Sequence, residues 1–300
     1  MKFAQAFLDG WQRGQRSLAD VDNSQSIVIP AINGARDYVG MSQSGRCGRQ
    51  VSFSSMGYEG KKPTTNQLHQ LRDGYLLEAD SISILKDGGI CVLDNGKEVW
   101  GNDPCADVKG HIDGLAQFCW DDEMESFETS QFEVNPKIGD IVLFEHKTFR
   151  QYPFQKLLGA ASKYKGAELK NVDLALGDWG VVLTPGTVQH NNPEYYMQIQ
   201  TYMLALNSMN IPTEVAVLFG RSREQNMIAV EEIPYDATAG NASYQKLLGI
   251  AKAAGDGKVM GPDYDPVAGK DWNCNYCDYK EQCTQMGPGV AIHTTQELAI

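Results

Sequence analysis

Ile141-Val142-Leu143-Phe144-Glu145-His146-Lys147-Thr148 is an apolar run that closes on three ionisable side chains. Its length and its bulky aliphatic content read as a buried strand within 139–149. Side chains two apart share a strand face, so Glu145 and Lys147 point one way and His146 the other. A carboxylate and an ammonium side by side at the end of a buried strand are costly to desolvate unless something employs them. Two readings stand open at this point. In one, Glu145 and Lys147 form a satisfied ion pair at a strand end. In the other, Asp113 of Gly110-His111-Ile112-Asp113-Gly114 lies on a neighbouring strand and joins Glu145 in a hard-oxygen site for Mg²⁺ or Mn²⁺. Lys147 would then hold an attacking water and steady a transition-state phosphate.

Outward from this strand, helical and extended periodicities alternate. Residues 1–24 read as a polar amphipathic helix striped by Phe3, Phe7, Leu8 and Trp11, with a strand at 26–32 and a Gly/Ser-rich turn region at 40–48. Helical spacing over 66–86 passes through Leu68, Leu71, Leu76, Ile82 and Leu85 and stops at Gly88-Gly89. Strands are expected at 90–100, 107–118 and 139–149, then a helix at 152–165 and a strand at 179–184. A helix at 194–209 opens behind Pro193, strands at 214–219 and 227–233 flank a polar turn at 221–226, and a helix covers 241–254. That order implies an α/β or α+β core around a mixed sheet.

The chain has 300 residues, 42% of them hydrophobic and 21% charged, which excludes a disordered protein. Its apolar runs are strand-length and fall short of the roughly 20 residues a membrane helix requires. The N-terminal residues reach Asp9 too soon for a signal-peptide core, so an intracellular, cytoplasmic location is expected. With 26 basic and 38 acidic residues the net charge is −12, which argues against coating nucleic acid by bulk charge but leaves room for a local basic groove. No internal repeat stands out.

Further residues could carry chemistry. Gln198 and Tyr202 are spaced i, i+4 and share a helix face, as phosphate-contacting donors or simply as a buried tyrosine beside a glutamine. Glu78 follows Gly74 by one turn, where a third carboxylate could reach the site while the glycine admits close backbone approach. The histidines His69, His111, His146 and His190 read as surface or hydrogen-bonded, with His111 sharing the expected strand face of Asp113. Cys274, Cys277 and Cys283 form a C-x₂-C-x₅-C run, and Cys47 between Arg46 and Gly48-Arg49 is the best-placed fourth ligand. Four thiolates suit tetrahedral Zn²⁺ or an iron–sulfur cubane. Arg46, Arg49 and Arg72, with Lys156, Lys163, Lys165, Arg221 and Arg223, could line a phosphate-binding stripe.

In chain order the set is a lone Cys47 beside arginine, Gly-x₃-Glu at 74–78, Gly-x-x-Asp at 110–113, Glu-x-Lys at 145–147, Gln-x₃-Tyr at 198–202 and the late cysteine run. This set resembles the PD-(D/E)XK nucleases of the RecB group, in particular the iron–sulfur exonucleases related to AddB and to the CRISPR-associated RecB-like exonucleases, with phage relatives. The match spans residues 42–283. The resemblance implies a restriction-endonuclease-like core, a central mixed sheet flanked by helices, over 66–256. It also implies an iron–sulfur-stapled subdomain made of the N-terminal segment 1–65 and the cysteine segment 257–285, with 286–300 as a tail. Asp113, Glu145 and the His146 carbonyl would hold Mg²⁺ or Mn²⁺, with Glu78 as an added ligand. Lys147 would be the catalytic lysine, and Gln198 and Tyr202 would help place the strand. Cys47, Cys274, Cys277 and Cys283 would hold a [4Fe–4S] cluster, with Zn²⁺ the alternative. The implied activity is a DNA exonuclease acting on single strands or duplex ends in recombination, repair or processing, with a homo-oligomer or a recombination or replication protein as possible partners. Departures are Glu78, where many relatives carry histidine, an acidic stretch at 121–133, and an insertion at 166–192. The rival expectations are a catalytically silent nucleic-acid-binding or assembly subunit of the same fold and a zinc-stapled structural protein.

Overall fold

A computed structural model describes residues 2–17, 38–101, 108–118, 139–158, 172–173, 180–224, 227–264, 272–287 and 291–292. Its elements run α1 (Lys2–Ser17), β1 (Val39–Gly40), α2 (Gly48–Ser55), α3 (Thr65–Asp87), β2 (Val92–Leu93) and β3 (Glu98–Trp100). They continue through β4 (Val108–His111), β5 (Gly114–Phe118), β6 (Asp140–Phe149), α4 (Gln151–Leu157), β7 (Val172–Asp173) and β8 (Gly180–Leu183). The remainder is α5 (Thr187–Asn191), α6 (Pro193–Ser208), β9 (Val215–Ser222), β10 (Ile228–Pro234), α7 (Ala237–Gly255), β11 (Lys258–Val259), α8 (Trp272–Asn275), α9 (Lys280–Met286) and β12 (Ala291–Ile292).

Strand β6 lies inside a seven-stranded mixed sheet of order β2-β5-β6-β9-β10-β8-β7, parallel to β9 and antiparallel to β5. Its alternation separates two cores. Val142 and Phe144 pack with Phe7, Leu8, Trp11, Ile84 and Leu85 of α1 and α3, where the Phe7 and Phe144 rings stack at 5.6 Å. Ile141 and Leu143 pack with Ile199, Met203 and Leu206 of α6. The two-residue period expected for 139–149 therefore places Glu145 and Lys147 on the α6 side. Helix α3 starts at a capping box: Thr64 Oγ1 accepts from Gln67 N–H at 3.3 Å, and Gln67 Oε1 accepts from Thr64 N–H at 2.7 Å. It stops at Gly88, where a Cβ would sit 1.7 Å from Gly10 O, so α1 and α3 can cross this closely only with glycine there.

Three expectations need correction. The strand expected over 107–118 is two strands in different sheets: β4 joins β1 and β3 in a three-stranded sheet, and β5 joins the large one. The cause is Gly114, whose φ of +154° and contact with Val92 leave no room for a side chain. The strand expected over 90–100 is likewise two, reversed at Asp94 (φ +54°) and Gly96 (φ +74°). The turn expected at 221–226 begins later, because Arg221 and Ser222 continue β9. The expected strand at 26–32, the acidic stretch 121–133, and residues 166–171 and 174–179 of the expected insertion lie outside the described residues. No described helix is long and apolar enough to cross a membrane.

Candidate active site

The site forms where β6 leaves its apolar stretch and the chain breaks between β4 and β5. Gly114 pairs with Phe144 in register, which sets Asp113 beside Glu145. Asp113 Oδ2 accepts the His146 backbone N–H at 2.8 Å, so the carboxylate is fixed to the β6 backbone. Lys147 Nζ donates to Glu145 Oε1 and to the His146 carbonyl at 3.2 Å, and stands 3.8 Å from Asp113 Oδ2. The His146 carbonyl therefore points into the same space. Gln198 of α6 donates from Nε2 to Glu145 Oε1 at 2.6 Å. Glu78 of α3 completes the set through Asn95, whose amide donates to Glu78 Oε1 at 3.0 Å and to the Asp113 carbonyl at 2.7 Å.

Charge is poorly balanced here. Glu145 is 0% exposed, and its Oε2 is buried with no hydrogen-bond partner among the described residues. Burial, followed by the charge of Asp113, pushes the Glu145 carboxyl up to about 8 and that of Glu78 up to about 7. Burial also raises Asp113, against the opposing pull of Lys147. For Lys147 burial alone would lower the ammonium, but the charges of Glu145 and Asp113 win and hold it protonated. With all three carboxylates ionised the sum is −3 + 1 = −2. A divalent cation would neutralise that sum, and Glu145 Oε2 is a buried hard-oxygen donor lacking a partner. The residues fit such an ion. Among the described residues, however, no three His, Cys, Asp or Glu side chains close to metal-binding spacing; Lys147 Nζ bonds Glu145 and stands 3.8 Å from Asp113 Oδ2.

Behind β6, His146 faces the opposite side as its strand parity requires. Its Nε2 lies 3.0 Å from Ser81 Oγ and its ring stacks on Phe219, while burial and then Lys147 hold it well below the usual imidazole range, hence neutral. Arg221 is buried there too, donating to Asp80 Oδ2 at 2.6 Å, Ser81 Oγ and the Leu77 carbonyl. It clamps α3 to β9 and is not the phosphate contact of a hairpin turn. His111 does not share a face with Asp113, since the strand breaks between them; its Nε2 lies 3.9 Å from Glu98. Gly74 is not required by crowding: a Cβ there would meet only Thr148 Oγ1, at an ordinary 3.7 Å.

Gln198 and Tyr202 do share one face of α6, but both turn inward. Tyr202 is 2% exposed and packs where a Cβ on Gly110 would meet its ring at 2.5 Å. Burial, with Glu145 and Asp113 beyond it, keeps its hydroxyl protonated, and that hydroxyl bonds Gln198. Two residues not singled out from the sequence also belong here. Asn95 lies in an Asp-Asn-Gly turn, a visible signal for a reversal but not for partners 17 and 18 residues away. Tyr195 lies under Lys147, with Nζ 5.8 Å from its ring centre, and meets Phe149 edge-on.

The four expected cysteines line one cavity of about 900 Å³. Cys47 precedes α2 and accepts from Asp263 N–H at 3.4 Å, and Cys283 is buried. Burial raises the Cys277 thiol, and the nearby charges of Cys47 and Cys283 add to the rise. Arg49 is 0% exposed, donating to the carbonyls of Met260 (2.9 Å), Cys283 (3.4 Å) and Gly287 (2.5 Å) and to Cys283 Sγ (3.8 Å). It is therefore a clasp for the C-terminal segment, not the expected phosphate contact. Arg72 is exposed on α3, and Arg46 is exposed at the cavity.

No protein-family model matches this chain, and no curated protein sequence matches it either. Solved structures similar to it include the following two. One is the crystal structure of SSO0001, at 15% identity over 91% of this chain and 92% of that one, with a TM-score of 0.40. The other is LHK-Exo in complex with dAMP, at 11% identity over 74% of this chain and 89% of that one, with a TM-score of 0.42. Likeness at this level leaves the site to be read from its own side chains.

Proposed function

We propose that the chain is a metal-dependent nuclease that hydrolyses DNA as an exonuclease, on single strands or at duplex ends. The observation that carries this reading is Glu145, fully buried, with one oxygen held by Gln198 and Lys147 and the other unpartnered beside two further carboxylates. A purely structural ion pair would not need the two further carboxylates of Asp113 and Glu78 nearby. Asp113, Glu145 and the His146 carbonyl would hold Mg²⁺ or Mn²⁺, with Glu78 alongside. When bound, the ion polarises the phosphodiester and lowers the pKa of a water. Gln198 holds Glu145 Oε1 and so fixes the orientation of the carboxylate. Lys147 exchanges its bond to Glu145 for the substrate, where its ammonium holds the attacking water and offsets the charge gathering on the phosphate. Gly114 and the His146 N–H fix Asp113 in advance of binding. End-labelled single- and double-stranded DNA, incubated with Mg²⁺ or Mn²⁺ and with a chelator, tests the activity. Metal-dependent release of label is expected, and intact DNA under every condition would remove the proposal.

Asn95 is expected to act through Glu78. Asn95→Ala should weaken Mn²⁺ binding about tenfold, as loss of an outer-shell partner does, measured calorimetrically on protein without nucleic acid. Unchanged affinity would reduce Asn95 to a turn residue. For the cysteines we propose a [4Fe–4S] cluster on Cys47, Cys274, Cys277 and Cys283, with zinc the competing ion. Protein purified without oxygen should contain iron and acid-labile sulfide, and Cys277→Ser should lose both. Zinc without iron would replace the cluster by a zinc staple.

A further inference from the structure

The cavity that the cysteines line extends well beyond them. Its walls come from residues 45–53 around α2, from the start of α6 at Pro193, Glu194 and Met197, and from the segment 273–283. In a chain of net charge −12, its charged lining is Arg46, Arg49, Lys156 and Lys280 against Glu194 and Asp278, or +4 − 2 = +2, with His190 beside them. These cations are not equivalent. Arg49 is committed to carbonyls and Cys283, and Lys280 Nζ donates to Asn275 Oδ1 at 2.9 Å. Arg46 and Lys156 have no carboxylate within ion-pair distance among the described residues, although both border a cavity that also holds Glu194 and Asp278. The ring of Tyr276, 82% exposed, also lines it.

The cavity and the active site share helix α6, whose Glu194 and Met197 line the one and whose Gln198 bonds Glu145 in the other. The residue after Glu194 is Tyr195, and Lys147 Nζ lies 5.8 Å from the Tyr195 ring centre. The charges of Arg46 and Lys147 both reach the Tyr195 hydroxyl. We propose that the part of this cavity beyond the four cysteines is a subsite for one nucleotide of a single strand, with Arg46 and Lys156 holding its phosphate and Tyr276 stacking on its base. Two cations lacking carboxylate partners, within reach of one space that also offers an exposed aromatic face, match a unit that is anionic on one side and flat on the other. The inference deepens the nuclease reading, since it places a flanking nucleotide next to the scissile bond, but the binding it describes can be measured without cleavage.

The test uses the full chain purified without oxygen, and a fluorescein-labelled oligothymidylate in chelator, followed by anisotropy over a salt series. The double variant Arg46→Ala, Lys156→Ala should raise Kd at least tenfold. It should also flatten the log Kd against log salt slope by about 1.4, for two single-strand phosphate contacts at roughly 0.7 each. Tyr276→Ala should raise Kd about tenfold with the slope unchanged. Lys62→Ala, at an exposed site outside the cavity lining, should change neither. The charge-preserving pair Arg46→Lys, Lys156→Arg should bind as wild type does, which separates charge from folding. Wild-type Kd and slope in the alanine pair, equal loss in Lys62→Ala, or no binding by the wild type would each overturn the inference. If binding falls as expected while the wild type cuts no DNA, the nuclease reading fails and the subsite stands. If the wild type cuts and the alanine pair binds unchanged, the subsite alone fails.

Discussion

Lys147→Ala is expected to lose about a thousandfold in DNA cleavage, ~4 kcal/mol of transition-state stabilisation, while keeping its circular dichroism spectrum. The ammonium sits between Glu145 and Asp113 and beside the His146 carbonyl. Its removal takes away the positive charge that would face the phosphate, but no apolar contact of the sheet. It also changes the carboxylate sum from −2 to −3, so Mn²⁺ should bind the variant at least as tightly as the wild type. That pairing of full metal affinity with lost turnover separates a catalytic lysine from a structural one. Lys147→Arg should not restore the rate, because a planar fork cannot occupy the place of a compact ammonium. Wild-type cleavage by Lys147→Ala would refute the mechanism.

Arg49→Met should be the largest single loss of stability outside the site, about 3–5 kcal/mol, because a buried cation with three carbonyl partners is removed and its acceptors are left dry. The effect should be local first. The C-terminal segment, tied to α2 by this guanidinium and by the packing of Phe53, Val259 and Cys283, should become cleavable by protease while the seven-stranded sheet persists. Arg49→Lys should recover little, since one ammonium cannot span Met260, Cys283 and Gly287 together. Retention of the proposed cluster's iron should fall in parallel. Uniform melting of the whole chain in Arg49→Met, with no early cleavage beyond residue 256, would contradict the clasp.

What the sequence shows directly is what short-range physics sets. The two-residue period of 141–147 assigns Glu145 and Lys147 to one face and His146 to the other, and the structure keeps that assignment. Pro193 and Gly88 mark real helix ends. The break at Asp113 is hidden, because 107–118 carries an unbroken extended pattern and only the backbone of Gly114 shows that the chain changes sheets. The burial of Arg49 and Arg221 is hidden for another reason. A guanidinium looks the same in sequence whether it meets phosphates or carbonyls, and its partners here lie 140 or more residues away. Asn95 is concealed likewise, its turn being local and its targets not.

The seam at Ile112–Gly114 has one more consequence, which concerns timing. Glu145 and Lys147 belong to β6 of the large sheet, and Asp113 is placed beside them by the Gly114–Phe144 register and the His146 N–H, whereas β4, on the other side of the seam, pairs with β1 and β3. Strand β1 comes from the segment just before Cys47, so the small sheet is completed by the early part of the chain. The charged cluster therefore comes together when β5 pairs with β6, without waiting for the small sheet. The step that matters is the β5–β6 register: a slip of one residue there would carry Asp113 off the His146 N–H, whatever the small sheet has done.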